Sequence, residues 1–193
     1  KFVFQPAEEG PGGAKPMIEA GVMDDPHVDY ALGCHIWPDI PEGTIGVRAG
    51  ALMAAMFSFD ITIRGKGGHG AMPHQCTDAL EIGCQVVGAL QRIVSRQMNP
   101  LSPAVVTVGR FRAGTAFNVI PETASLAGTA RTFDKAIWRR WPVIIDQIVN
   151  GVCAATGAAY ETIFEQGYPP LVNDAGMAQR LTRIAGGIVG PER

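Results

Sequence analysis

A chain of 193 residues with 47% hydrophobic and 18% charged residues has length for one full domain or parts of two, and is too apolar to be disordered. A formal net charge of −2 leaves no basic footprint, which argues against nucleic acid as a partner. No apolar run approaches the roughly 18 residues that would span a membrane, and four cysteines (Cys34, Cys76, Cys84, Cys153) without CxxC spacing argue against a zinc knuckle or disulfide framework and for a reducing, cytoplasmic setting.

The first stretch, KFVFQ (Lys1–Gln5), reads as the middle or end of a buried strand with no initiator Met or leader, and the final IVGPER stops just after a helix-like segment. Both ends are therefore expected to be cuts inside a larger protein. After the loop holding Glu8 and Glu9, AKPMIEAG predicts a short helix stopped by Gly21, DYALGCHIW a second strand and GTIGVR a further extended piece, the pattern of an α/β layer.

Near residue 54 the character changes. MFSFDITIR (Met56–Arg64) alternates strictly, with Phe57, Phe59, Ile61 and Ile63 on one face, as a half-buried antiparallel strand does. The glycine-rich GKGGHGAMPH follows, then a helix over about Asp78–Gln97, with Asp78 and Glu81 as a capping box and Leu80, Cys84, Val87, Leu90 and Val94 as its apolar stripe. Two strands, AVVTVGRF and TASLAGTAR, flank the loop AGTAFNVIPE. A second helix covers roughly Asp134–Thr156, with Pro142 expected either to start its regular part or to kink it. Gly157 ends that helix, AAYETIFEQ supplies a fourth strand, and the segment from Ala175 is helical again.

The order β-α-β-β-α-β over residues 54–166 is the ferredoxin-like plan, so an α+β architecture is expected. Such a domain would be inserted between a partial α/β domain at 1–53 and its return segment at 167–193. One face and one edge strand of its sheet would stay open, and such an edge invites pairing with a second copy.

Several side chains could carry chemistry. Glu8 and Glu9 could be an ordinary polar turn; in an extended or loop backbone, however, neighbouring side chains point apart, so one carboxylate could bind a metal while the other faces substrate or water. His35, in GCHIWP, is either a satisfied core histidine or a metal ligand at a strand end, and Cys34 beside it reads as structural. His27 reads as a surface residue. His69 and His74 lie five residues apart across a proline, which is no standard chelating spacing. They are incidental residues of a flexible connection, or glycines aim one of them at a ligand. Asn118, in FNVIPE, and Arg131, in GTARTF, sit in neighbouring segments that could converge; alone, each is an ordinary surface group.

FQPAEEGPGGAKPMIEAG, GCHIWP, GKGGHGAMPH, FNVIPETASLAGTARTF and YPPLVND, in that order, resemble the metal-dependent aminoacylase/carboxypeptidase superfamily, in particular the branch with hippurate hydrolase, the auxin-conjugate amidohydrolases and N-acetyl-diaminopimelate deacetylase. The resemblance implies an α/β catalytic domain with two divalent metal ions (zinc or manganese, or cobalt or nickel) and an inserted ferredoxin-like lid that forms a homodimer. The substrate would be a small N-acyl amino acid, cleaved to a carboxylic acid and a free amino acid. By the same resemblance Glu8 is the general base, Glu9 ligates one metal and His35 the other. His69 is the lid histidine that reaches into the partner's active site, while Asn118 and Arg131 bind the substrate's carbonyl or carboxylate. These groups are expected to gather, Glu8, Glu9 and His35 at one point.

Two features of that branch do not occur here: a CGHDGH-like segment, with a bridging cysteine and a histidine ligand, and a late histidine. One ligand per metal is fewer than the three or four that zinc usually takes. The 193-residue chain is accordingly expected to be inactive and metal-free, a dimerisation module, while its parent is the hydrolase.

Overall fold

The computed structural model describes residues 1–10 and 12–192. In chain order its helices and strands are α1 (Ala14–Glu19), β1 (Gly50–Met53), β2 (Ala55–Arg64), β3 (Gly68–His69), α2 (Ala79–Arg92), β4 (Ala104–Ala113), β5 (Val119–Ile120), β6 (Thr123–Thr132), α3 (Lys135–Thr156), β7 (Ala159–Gln166), β8 (Leu171–Asn173) and α4 (Ala175–Val189). The backbone divides into two compact units: residues 1–46 with the chain from 185, and residues 47–184.

In the second unit, β4, β6, β2 and β7 lie side by side in that order, all antiparallel. β2 is central. Phe57, Phe59, Ile61 and Ile63 of its inner face are fully buried, as their alternation requires. Helices α2 and α3 cover that face and contribute Ile82, Val86, Leu90, Trp141, Ile144, Ile145 and Val149 to one core. The outer face is polar: the Arg110 guanidinium reaches past the Ala127 position of β6 to Asp60, 2.7 Å away. A bulge between Val108 and Arg110 sets the register that makes this possible. β1 pairs with β8, and β3 with β5, as short separate ribbons that the sequence pattern does not announce.

Helix α2 starts at its expected cap: the Asp78 carboxylate accepts from the N–H groups of Leu80 and Glu81. Its buried face, however, is Ala79, Ile82, Gly83, Val86 and Leu90, one position away from most of the expected stripe; Leu80 and Cys84 are exposed. The reason is close packing. A Cβ at Gly83 would lie 2.6 Å from the Phe111 ring, so the helix presents its smallest residues to the sheet. Helix α3 runs unbroken from the Asp134 cap through Pro142, so the proline does not start it. Pro142 lacks the N–H that would pair with the carbonyl four residues back, Trp138 O. The side-chain amide of Gln166 donates to that carbonyl at 3.0 Å instead.

In the first unit, α1 forms and Gly21 follows it in the left-handed region, as its sequence requires. The strands expected at Lys1–Gln5 and Asp29–Trp37 do not form, and Phe2, Phe4 and Ile36 are 95%, 88% and 90% exposed. Apolar alternation encodes a face to be buried, but a strand also needs a neighbour for its N–H and C=O groups. Among the described residues no segment pairs with either stretch. Among the described residues, too, no helix is long and apolar enough to cross a membrane.

Gly128 lies between Phe59 and β4, where an added Cβ would overlap the Phe59 ring and the Thr107 carbonyl oxygen. Gly128→Ala is therefore expected to lower the unfolding free energy by about 2 kcal/mol, as overpacking does. Urea unfolding followed by circular dichroism checks this; an unchanged midpoint would show that the sheet yields freely at that point.

Candidate functional site

The glycines of GKGGHG are required by close approach rather than by mobility. The segment 65–70 is held between residues 76–77 on one side and 118–122 on the other: Gly65 N–H donates to Glu122 O at 2.8 Å, Lys66 exchanges two 2.9 Å hydrogen bonds with Thr77, and Gly70 N–H donates to Asn118 O at 2.8 Å. A Cβ at Gly67 would lie 2.9 Å from the Ile120 carbonyl oxygen, one at Gly70 2.9 Å from the Asn118 carbonyl oxygen, and one at Gly68 would overlap the Cys76 sulfur. The loop is a fixed platform.

That platform brings His69 and Asn118 together. His69 pairs with Val119 across the β3–β5 ribbon, and Asn118 is the next residue along. His69 is exposed, and its Nδ1 accepts a hydrogen bond from the Ala71 N–H at 3.1 Å. An open depression of about 430 Å³ lies beside the ribbon, lined in part by Lys66, Gly68, Thr115, Val119 and Glu122. His74, by contrast, has its Nε2 3.4 Å from the side-chain amide nitrogen of Gln75, the next residue.

Arg131 is not part of this cluster. It lies near the far end of β6, paired with Met56 and Val105, and its guanidinium donates to the Ala130 carbonyl. Eight residue steps along the strand separate it from Thr123, beside the His69 ribbon, a span of roughly 27 Å. Within one chain Asn118 and Arg131 do not converge: an extended strand between them fixes the separation.

In the first unit, Glu8 and Glu9 are exposed on a turn closed by Gly10 and Gly12, whose N–H groups both donate to Ala7 O at 3.1 Å. Ala7 has φ 50°, a left-handed conformation that a non-glycine residue adopts at some cost, and it stands directly before Glu8. His35 is exposed rather than buried in a core; its Nδ1 lies 2.5 Å from the Ile36 carbonyl oxygen and its ring stands edge-on to Trp37 at 5.6 Å. A carbonyl can only accept, so Nδ1 carries the proton and Nε2 keeps a free lone pair, as a metal-ligating histidine does. Cys34 is exposed, not packed into structure. His27 is on the surface beside Asp29.

The donor chemistry of Glu9 and His35 suits a divalent metal, one donor each. Among the described residues, though, no three His, Cys, Asp or Glu side chains form a group that could hold a metal ion. Among the described residues Glu8, Glu9 and His35 thus do not gather as a three-donor set.

All 193 residues match the model of the peptidase family M20/M25/M40. The chain belongs to that family. An N-acyl-L-amino acid amidohydrolase of Geobacillus stearothermophilus is 51% identical over 174 residues, 90% of this chain and 46% of that protein. An N-acetylcysteine deacetylase of Bacillus subtilis is 41% identical over 174 residues, 90% of this chain and 45% of that protein. Among solved structures, the Bacillus subtilis YXEP protein, described as a dinuclear metal binding peptidase from the M20 family, superposes with a TM-score of 0.73 at 35% identity. The match covers 97% of this chain and 46% of that one. This M20-family chain thus spans about half the length of the relatives it matches. The expected kinship with metal-dependent amidohydrolases is established, and the mixed α/β fold agrees with it.

Two groups escaped the sequence: the Ala71 N–H that meets His69 and the Ile36 carbonyl that meets His35. Both are backbone atoms, which carry no signature in residue type; only the glycines around His69 hinted that its loop is shaped.

With no three-donor group among the described residues, the 193-residue chain is expected to retain well under one equivalent of zinc or manganese after equilibration and desalting. Mass-spectrometric metal analysis checks this, and near-stoichiometric metal would show that a complete ligand set assembles.

Proposed function

We propose that this chain supplies part of a metal-dependent N-acyl-amino-acid amidohydrolase, which cleaves hippurate-like or acetylated amino acids to a carboxylic acid and a free amino acid. The observation that carries this reading is the β3–β5 ribbon, which pairs His69 with Val119 and sets Asn118, the residue before Val119, beside it through the Gly70 N–H to Asn118 O hydrogen bond, in a chain of the M20/M25/M40 family. A divalent metal, when held in the longer protein with Glu9 and His35 among its ligands, would supply Lewis acidity and an activated water. Glu8, on its exposed turn, takes the proton of the attacking water and returns it to the departing amine. His69 donates a hydrogen bond to the substrate's carbonyl oxygen, where negative charge develops. Asn118 and Arg131 bind the substrate's polar ends.

The spatial order β4-β6-β2-β7, with α2 and α3 on one face, supports a ferredoxin-like lid inserted into a catalytic domain. The distance between Arg131 and the His69 ribbon supports a homodimer: the two ends of one lid serve two active sites, His69 and Asn118 that of the partner. β4 is an edge strand, open to pairing with a second copy.

A second reading concerns the 193 residues alone. With one expected ligand per metal, where zinc usually takes three or four, and with β4 as an open edge strand, the chain by itself is proposed to be a non-catalytic dimerisation module.

Two measurements test these readings. In the full-length protein Glu8→Ala is expected to lower turnover by about 10³-fold or more with metal still bound; retained turnover would remove Glu8 from the mechanism. Hydrolysis of benzoyl- and acetyl-amino acids with added Mn²⁺ or Zn²⁺ is expected for the full-length protein and absent for the 193-residue chain. Turnover by the shorter chain would overturn the second reading.

A further inference from the structure

We infer that the turn after His69 fixes this histidine as an Nε2–H donor, making the Ala71 amide a positioning group for the reaction. The inference rests on the reading of His69 as the group that meets the substrate's carbonyl oxygen. It adds which nitrogen does so, in which tautomer, and what holds it there.

The three amides that follow His69 are all committed to placing it. Gly70 N–H donates to Asn118 O at 2.8 Å and ties the ribbon closed; Met72 N–H donates to His69 O at 2.8 Å and makes the tight turn. Between them, Ala71 N–H donates to His69 Nδ1 at 3.1 Å. An amide N–H can only donate, so Nδ1 must present its lone pair. A neutral imidazole has one ring proton, and it is left on Nε2, the nitrogen on the opposite edge from Nδ1. The outward nitrogen is then a hydrogen-bond donor. It offers no lone pair to a metal ion and cannot take a proton while the ring is neutral. It can meet a carbonyl oxygen that gains charge as the amide is attacked.

Glycine at 70 is part of the same device, because any Cβ there would come within 2.9 Å of the Asn118 carbonyl oxygen and push the ribbon apart. His35 makes the contrast. Its Nδ1 faces a carbonyl, the Ile36 oxygen, and so must donate; its Nε2 is bare. Two exposed histidines are thus set in opposite tautomers by backbone groups one and two residues downstream, one suited to a metal and the other to an oxygen.

Nuclear magnetic resonance of the ¹⁵N-labelled 193-residue chain tests this without turnover, at about pH 8.5, where an ordinary imidazole is neutral. The expected result is a His69 ring with its proton on Nε2, an Nδ1 shift of the unprotonated kind, and scalar coupling between the Ala71 amide nitrogen and His69 Nδ1. A ring protonated on Nδ1, or an even mixture without that coupling, would overturn the assignment. Ala71→Pro removes the donor and is expected to raise the Nδ1–H population several-fold; if that variant does not fold, the coupling in the unaltered chain decides alone. In the full-length enzyme Ala71→Pro is expected to lower kcat about tenfold with KM nearly unchanged, the mark of an interaction made in the transition state. Wild-type kcat in that variant would overturn the positioning role. Full turnover in His69→Ala would overturn the role of His69 in hydrolysis while leaving its tautomer as measured, so the two failures are distinguishable.

Discussion

Strand β2 is hydrogen-bonded along both edges, to β6 over all ten of its residues and to β7 over eight, and its register constrains everything around it. A slip of one residue would turn Phe57, Phe59, Ile61 and Ile63 out of the core and Met56, Ser58, Asp60 and Thr62 into it. The pairing of β2 with β6, together with the bulge in β4, sets Asp60 and Arg110 on either side of Ala127, so that Arg110 can reach Asp60. The core helices pack on the face that this register turns inward.

The same sheet explains how an exposed histidine can be held firmly. β2 ends at Arg64, and the chain passes at once into the glycine segment, which is pinned to Thr77 on one side and to Asn118 and Glu122 on the other. Glycine is needed at 65, 67, 68 and 70 because neighbouring backbone or sulfur occupies the space a side chain would take. The entropy cost of ordering four glycines is offset by tying them to elements that are ordered already. His69 gains a fixed direction without being buried.

Arg131 lies near one end of the four-stranded sheet, and the separate β3–β5 ribbon that carries His69 follows its other end. No side-chain motion closes a gap of that size, so within one chain the two residues lie at different places. In the dimer proposed above, that separation would let the two ends of one such sheet face two different active sites.

Local sequence determined the elements whose stability is local. The strict alternation of MFSFDITIR, the Asp78 and Asp134 caps and the Gly157 stop each act within a few residues, and each is found where the pattern puts it. The glycines and histidines of GKGGHGAMPH stood out by type, and the motifs sufficed to point to the family. Pairing between distant segments was decided only in three dimensions. KFVFQ and DYALGCHIW carry the apolar pattern of strands but find no neighbour among the described residues, because a ladder needs two partners and a sequence pattern names one. The rotated face of α2 follows from the contact of Gly83 with Phe111, and the unbroken passage of α3 through Pro142 is accompanied by the bond from Gln166 to Trp138, a residue pair 28 positions apart. The tautomers of His35 and His69 depend on backbone atoms, which are the same in every residue and become specific only when the fold sets them at hydrogen-bond distance.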